Sequence, residues 1–267
     1  MSAPTVTNPS TAARPRRAPV RWPWIVVAAA WAIALLAVLT NQTYLINHAY
    51  LIEESGLPWI GALAVFLACW QVMTLAMMLP SSMPMIYMQV HASRQQAHPR
   101  AVQAAFLAGY AAVWTGFAVA AFASDTLIHR LVDAWPWLAQ HPYLIGATTF
   151  ALAGAFQFSA LKDRCLKACR SPFGFFVRYY RAGRVNAWHL GLRHGAFCLG
   201  CCWALMLVMF GIGVGGLAWM AALAGVMTIE KALPWGHRLS PVIGIALLLL
   251  ALLWLAHPAG LVPSVAS

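Results

Sequence analysis

Five of the six cysteines in this 267-residue chain lie in two short motifs. Cys165 precedes Cys169 by four residues, and the second motif is Cys198-x-x-Cys201-Cys202. A spacing of four puts two side chains on one face of a helix. Grouped thiolates select soft metals, so these five residues indicate a site for Cu(I), Zn(II) or an iron–sulfur species.

A sulfur stripe continues from the second motif. Cys198, Cys202, Met206 and Met209 follow one another at steps of four, four and three residues. These steps place all four sulfurs along one face of a helix. Cysteine and methionine also fill apolar interiors, so simple packing is the competing explanation.

An earlier segment repeats the pattern. Met73 and Met77 are four residues apart, and Met78 follows directly. Thioethers bind Cu(I) but hardly bind Zn(II), so the methionines favour Cu(I) and leave Zn(II) as the alternative metal. We therefore predict thioether ligands at Met73, Met77, Met78 and Met206, secondary to the five cysteines.

Glu230 is an acid at the end of an apolar stretch. Charges inside membrane segments indicate function, so we include Glu230 in the metal site as a charge partner. It could instead be a direct ligand, a proton carrier, a partner of an arginine in the 162–194 loop, or a charge that reaches the interface. His194 lies four residues before Cys198 and could join the site.

The composition is that of an integral membrane protein, with 62% hydrophobic and only 9% charged residues. We expect an all-α, polytopic transmembrane bundle of about seven helices, because seven apolar stretches approach the ~20 residues that cross a bilayer. Pro80 and Pro84 should end or kink the second helix. The stretches are 24–40, 59–79, 102–124, 142–161, 195–213, 217–233 and 240–257.

The basic residues predict how these helices are oriented. With the N-terminus in the cytoplasm, every Lys and Arg except Arg130 falls in the N-terminal tail or near a cytoplasmic loop. This positive-inside bias predicts an N-in, C-out protein with both cysteine motifs at the cytoplasmic face. It also accounts for the net charge of +11 without a nucleic-acid partner.

Three regions follow from this layout. Residues 1–22 are rich in Pro, Thr, Ser and Arg and should form a disordered, basic cytoplasmic tail. Residues 23–258 should form a single transmembrane helical domain, and 259–267 a short C-terminal tail. The expected location is the bacterial inner membrane, which the chain crosses several times.

Several of these motifs resemble a bacterial family of predicted metal-binding integral membrane proteins, some of which are labelled copper chaperones. The resemblance covers roughly residues 60–235 and implies metal binding. Two positions differ from the family pattern: Gly215-Gly216 replaces Met-Asn, and Phe156 replaces a tyrosine. The similar motifs are Trp70-x-x-Met73-x-x-Ala76-Met77-Met78-x-Pro80, Gly109-Tyr110-x-x-x-Trp114, Gln157-x-x-x-Leu161-Lys162-x-x-Cys165-Leu166-x-x-Cys169-Arg170-Ser171-Pro172, Gly195-x-x-Cys198-x-Gly200-Cys201-Cys202-Trp203-x-x-Met206 and Glu230-Lys231.

The function predicted from these observations is copper handling rather than catalysis. The protein would receive, store or pass on Cu(I), with a copper-dependent membrane enzyme or a copper chaperone as partner and the lipid bilayer as its surroundings. One alternative is a membrane thiol redox enzyme, because Cys198-x-x-Cys201 has redox spacing. Another is an assembly or scaffold protein whose cysteines only pack.

Overall fold

The computed structural model describes residues 21–42, 51, 56–141, 143–212 and 216–256. Regular structure within these ranges is helical throughout, which confirms the predicted all-α bundle. Nearly all of the predicted 1–22 tail, and all of the 259–267 tail, lie outside the described residues. The helices are α1 (Trp22–Leu39), α2 (Trp59–Ser93), α3 (Pro99–Ala134), α4 (Pro136–Ala139), α5 (Tyr143–Phe156), α6 (Ala160–Arg170), α7 (Pro172–Tyr179), α8 (Arg184–Ile212), α9 (Leu217–Ala232) and α10 (Leu239–Ala256), with a 3₁₀ turn at Gly236–Arg238.

Each predicted apolar stretch contains a helix, but the helices differ in their capacity to cross a bilayer. By length and composition, five described helices could span a membrane: α1, α2, α3, α8, and α10 with the turn before it. A sixth span is possible if α5 and α6, which meet at a 63° bend, are taken together. α9 has only 16 residues and carries Glu230 and Lys231 at its C-terminal end.

α2 continues through its two prolines. Pro80 and Pro84 lie inside the helix, which extends to Ser93, so the alternative that the helix ends at them is wrong. A proline at position 80 has no N–H to donate to the carbonyl four residues earlier. That carbonyl, of Ala76, accepts a hydrogen bond of 3.1 Å from Trp31 Nε1 of α1. The backbone group that proline leaves free thereby joins α1 to α2.

α3 and α8 pack closely because glycines line their contact. A side chain at Gly191 of α8 would overlap the carbonyl oxygen of Phe106 in α3. A side chain at Gly109 of α3 would likewise overlap the carbonyl oxygen of Trp188 in α8. Small residues let helix backbones approach in membrane bundles. The contact holds in place the helix that carries the second cysteine motif.

Gly191→Ala should lower the free energy of unfolding by about 1–3 kcal/mol, because the new methyl group would force the two backbones apart. Thermal and denaturant unfolding in detergent would measure this loss. Gly116→Ala is the matched control, since it changes a helical glycine of α3 with nothing within 4 Å of the added carbon. Alanine favours helix over glycine, so the control should keep or slightly gain stability. Equal stabilities would contradict this account of the α3–α8 contact.

Candidate metal centre

The first cysteine motif lies on α6, which packs against α8. Ser159 caps α6: its Oγ accepts a hydrogen bond of 3.1 Å from the backbone N–H of Lys162. One turn apart on this helix, Cys165 and Cys169 both reach α8. Cys169 Sγ lies 3.9 Å from Cys201 Sγ, which brings the two motifs together.

Cys165 occupies space that a glycine leaves open. A side chain built at Gly200 of α8 would meet Cys165 Sγ at 2.6 Å, which is closer than van der Waals contact allows. Cys165 is itself buried. Gly200, between the cysteines of the second motif, therefore allows α6 to approach α8 at the level of the thiols.

The remaining two cysteines of the second motif lie between α2 and α9. Cys202 Sγ is 3.7 Å from Met78 Sδ of α2. Lys231 Nζ of α9 is 3.2 Å from Cys198 Sγ and 3.9 Å from Cys202 Sγ. Cys198, Cys201 and Cys202 are each only 1% exposed. This part of the site thus combines two thiols, one thioether and one ammonium group in a buried position.

Three hydroxyl groups complete the surroundings of this lysine and these thiols. Tyr110 of α3 places its hydroxyl 3.3 Å from Cys198 Sγ, and Ser82 Oγ of α2 lies 3.4 Å from the same hydroxyl. Lys231 Nζ also donates to Ser81 Oγ at 3.3 Å. Four helices, α2, α3, α8 and α9, therefore meet around Cys198.

The methionines predicted as ligands are all buried in the apolar cluster that contains the cysteines. Met78 contacts Cys202, whereas Met73, Met77 and Met206 contribute their side chains to the same core. A thioether role for these three methionines stays a prediction. Their burial suits apolar packing equally well.

Glu230 does have a charge partner. Lys162 Nζ of α6 donates to both carboxylate oxygens at 2.9 and 2.8 Å, and Ser240 Oγ of α10 donates to one of them at 2.7 Å. The lysine also donates to Gln157 Oε1. Lys162 is 1% exposed and Glu230 2%. The partner of Glu230 is thus Lys162, and not an arginine of the 162–194 loop as in one of the alternatives above.

His194 lies next to this site but faces aromatic rings. Its imidazole stacks on Tyr110 and Phe106, with ring centroids 5.6 and 6.1 Å away. Nε2 is buried and has no hydrogen-bond partner among the described residues. A ligand role for His194 stays a prediction.

Sequence reasoning missed the two lysines and the tyrosine of this site. All three residues belong to the family motifs and Lys162 and Lys231 to the basic residues that predict topology, but none of them was predicted as a site residue, although both lysines are buried. The available signal was the pair Glu230-Lys231 near the end of an apolar helix. Neighbours on a helix point about 100° apart, so two buried charges there need two different partners.

The contacts bring sulfurs together in pairs. Among the described residues, no group of three or more His, Cys, Asp or Glu side chains is placed to hold a metal ion. The cysteine and methionine sulfurs in these pairs are soft donors.

The fold and these contacts define an all-helical protein, with several helices apolar enough to cross a membrane, that encloses a cluster of thiols and thioethers. A protein-family model described as "Copper chaperone" matches residues 67–254, and the chain belongs to this family. The expected family resemblance is thereby confirmed. No curated protein and no solved structure matches the chain. The family description supports a role in copper handling and suggests a carrier rather than an enzyme.

Lys162→Leu should destabilise the protein by about 3–5 kcal/mol, because it leaves the Glu230 carboxylate buried without a cation. Unfolding in detergent would measure the loss. The double variant Lys162→Leu/Glu230→Leu should recover much of it, since no unpaired charge remains. Lys167→Ala is the control: it breaks the exposed Lys167–Asp163 pair on the same helix and should cost at most about 1 kcal/mol. If Lys162→Leu lowers the free energy of unfolding no more than this control, the buried pair does not stabilise the position of α6.

Proposed function

We propose that this protein is a membrane copper chaperone that takes Cu(I) as cargo through thiols at its cytoplasmic face. Membership of the copper chaperone family supports the copper role. The observation that favours Cu(I) as the cargo is the contact of Cys202 Sγ with Met78 Sδ, close to Cys198. Two thiols with a thioether form a soft donor set that suits Cu(I) and disfavours hard cations.

Four of the five cysteines would act as two connected pairs, with Cys165 beside them against Gly200. Cys198 and Cys202, with Met78, form the inner position in this proposal. Cys169 and Cys201 form the outer position, supported by their 3.9 Å separation. Cys169 is half-buried, whereas Cys201 is fully buried. An ion entering at Cys169 would move inward by exchanging one sulfur ligand for the next.

Other predicted site residues have supporting roles in this proposal. Met73, Met77 and Met206 supply further thioethers from the same core. Glu230 acts at a distance: by pairing with Lys162 it holds α6, and therefore Cys165 and Cys169, against the bundle.

The proposed location is the bacterial inner membrane, with the N-terminus and both cysteine motifs on the cytoplasmic side. A copper-dependent membrane enzyme or another copper chaperone would exchange the ion with this protein. The sequence contains no phosphate-binding Walker motif. Movement of the ion would therefore follow a concentration gradient or the higher affinity of the partner.

A thiol redox function is the second candidate, because Cys169 and Cys201 are already in sulfur–sulfur contact. A disulfide would require the two atoms to approach to about 2.05 Å. That function predicts no bound metal and a reversible Cys169–Cys201 disulfide, formed when the two thiols give two electrons and two protons to a quinone, which becomes a quinol. Mass spectrometry of the alkylated protein, before and after reduction, would distinguish it from copper binding.

Anaerobically purified protein should bind stoichiometric Cu(I), measured by metal analysis and by titration against a competing chelator. The double variant Cys198→Ser/Cys202→Ser should lose more than about 100-fold in affinity, since removing direct ligands should cost at least as much as removing groups that only orient ligands. Failure of the unmodified protein to bind Cu(I) tightly would disprove the metal role.

Cys69→Ser is the matched control for this loss. Cys69 belongs to neither motif and lies about 13 Å along α2 from Met78, at 1.5 Å per helical residue. The variant should retain Cu(I) affinity and the unfolding midpoint. An equal loss in the Cys69 variant would mean that the double variant acts through general damage to the fold.

The proposed orientation predicts opposite sides for the two chain ends. A fluorescent protein fused to the N-terminus should fluoresce, and alkaline phosphatase fused after residue 256 should be active, because the first folds in the cytoplasm and the second is active in the periplasm. The C-terminal result depends on whether α9, with its 16 residues, crosses the bilayer. Fluorescence of a C-terminal fusion would show that α9 does not cross and would contradict the C-out orientation.

A further inference from the structure

Lys231 occupies an unusual position for a lysine. Its side chain is only 7% exposed, and its ammonium group contacts Cys198 Sγ, Cys202 Sγ and Ser81 Oγ at 3.2, 3.9 and 3.3 Å. A buried ammonium is costly unless a negative or strongly polar group compensates it. The surroundings of this lysine therefore decide what the site can hold.

The nearest carboxylate is already committed elsewhere. Glu230 precedes Lys231 in the sequence, but both of its oxygens accept from Lys162. Among the described residues, no carboxylate forms an ion pair with Lys231. The groups placed to balance its positive charge are the sulfurs of Cys198 and Cys202.

We infer that Lys231 sets the charge selectivity of the inner position, so that the site accepts a monovalent soft cation and rejects a divalent one. This inference rests on the proposed copper-binding function. Cysteine binds metals as thiolate, with loss of its proton. Two thiolates, one monovalent ion and one ammonium have no net charge, whereas a divalent ion leaves one positive charge in a buried site.

A third thiolate could neutralise a divalent ion, but the geometry does not supply one. Cys201, the next thiol on α8, contacts Cys169 of α6. In the part of the chain that the structure describes, no three cysteines are arranged around a common metal position. The excess charge of a divalent ion would thus remain uncompensated, and buried uncompensated charge is strongly unfavourable.

Ag(I) and Cd(II) provide a matched pair of probes, because both are soft and have the same d¹⁰ electron configuration but differ in charge. Their affinities would be measured by competition titration for the unmodified protein, Lys231→Leu, Lys231→Arg and the control Lys167→Ala. Lys231→Leu should shift the ratio of the two affinities toward Cd(II) by about tenfold or more, because the repelling charge is removed. Lys231→Arg retains the charge and should shift the ratio much less, and Lys167→Ala should leave it unchanged.

The outcomes separate this inference from the proposed function. If neither the unmodified protein nor any variant binds Ag(I) or Cu(I), the proposed function fails. If monovalent binding is tight but Lys231→Leu leaves the affinity ratio within threefold of the original, only the selectivity role fails. Should Lys231→Leu not fold, the unmodified protein still provides a test: equal affinity for Ag(I) and Cd(II) would overturn the inference.

Discussion

The buried ion pair between Lys162 and Glu230 determines how the other parts of the site meet. It links α6 to α9, and Ser240 extends the link to α10. In apolar surroundings an unpaired charge is strongly destabilising, so the two helices are held in one relative position. Because neighbours on a helix point in different directions, Lys231 is then directed toward Cys198 while Glu230 faces Lys162. One short helix thus contacts both cysteine-bearing segments.

Close helix packing supplies the remaining constraint on the thiols. Glycines bring α3 against α8, and this approach puts the Tyr110 hydroxyl beside Cys198. On the other side of α8, Met78 of α2 contacts Cys202. The Ala76 carbonyl of α2, which Pro80 leaves without its helical donor, accepts a hydrogen bond from Trp31 of α1. The glycines that let helices approach and the proline that frees a backbone carbonyl therefore help to position the sulfurs.

Local sequence patterns predicted the helices well and the contacts between them only in part. Apolar length located a helix in each expected place, but it could not reveal that α2 extends to Ser93, because polar residues such as Gln89 are buried there by neighbouring helices. Topology predicted that the two cysteine motifs share one face, and the contact of Cys169 with Cys201 agrees. The partners of Lys162 and Lys231 depend on how helices rotate against each other, which periodicity within one helix does not encode.

The burial of the three cysteines of the second motif also has a consequence for the rate of ion release. Cys198, Cys201 and Cys202 are almost completely shielded, whereas Cys169 is partly open to the surroundings. A bound ion could leave only when α6 or the neighbouring segments move, and such collective motions take microseconds to milliseconds or longer. The rate of ion release would therefore be limited by motion of these helices rather than by diffusion of the partner. In the proposed function, such a carrier would shield its ion until it meets an acceptor.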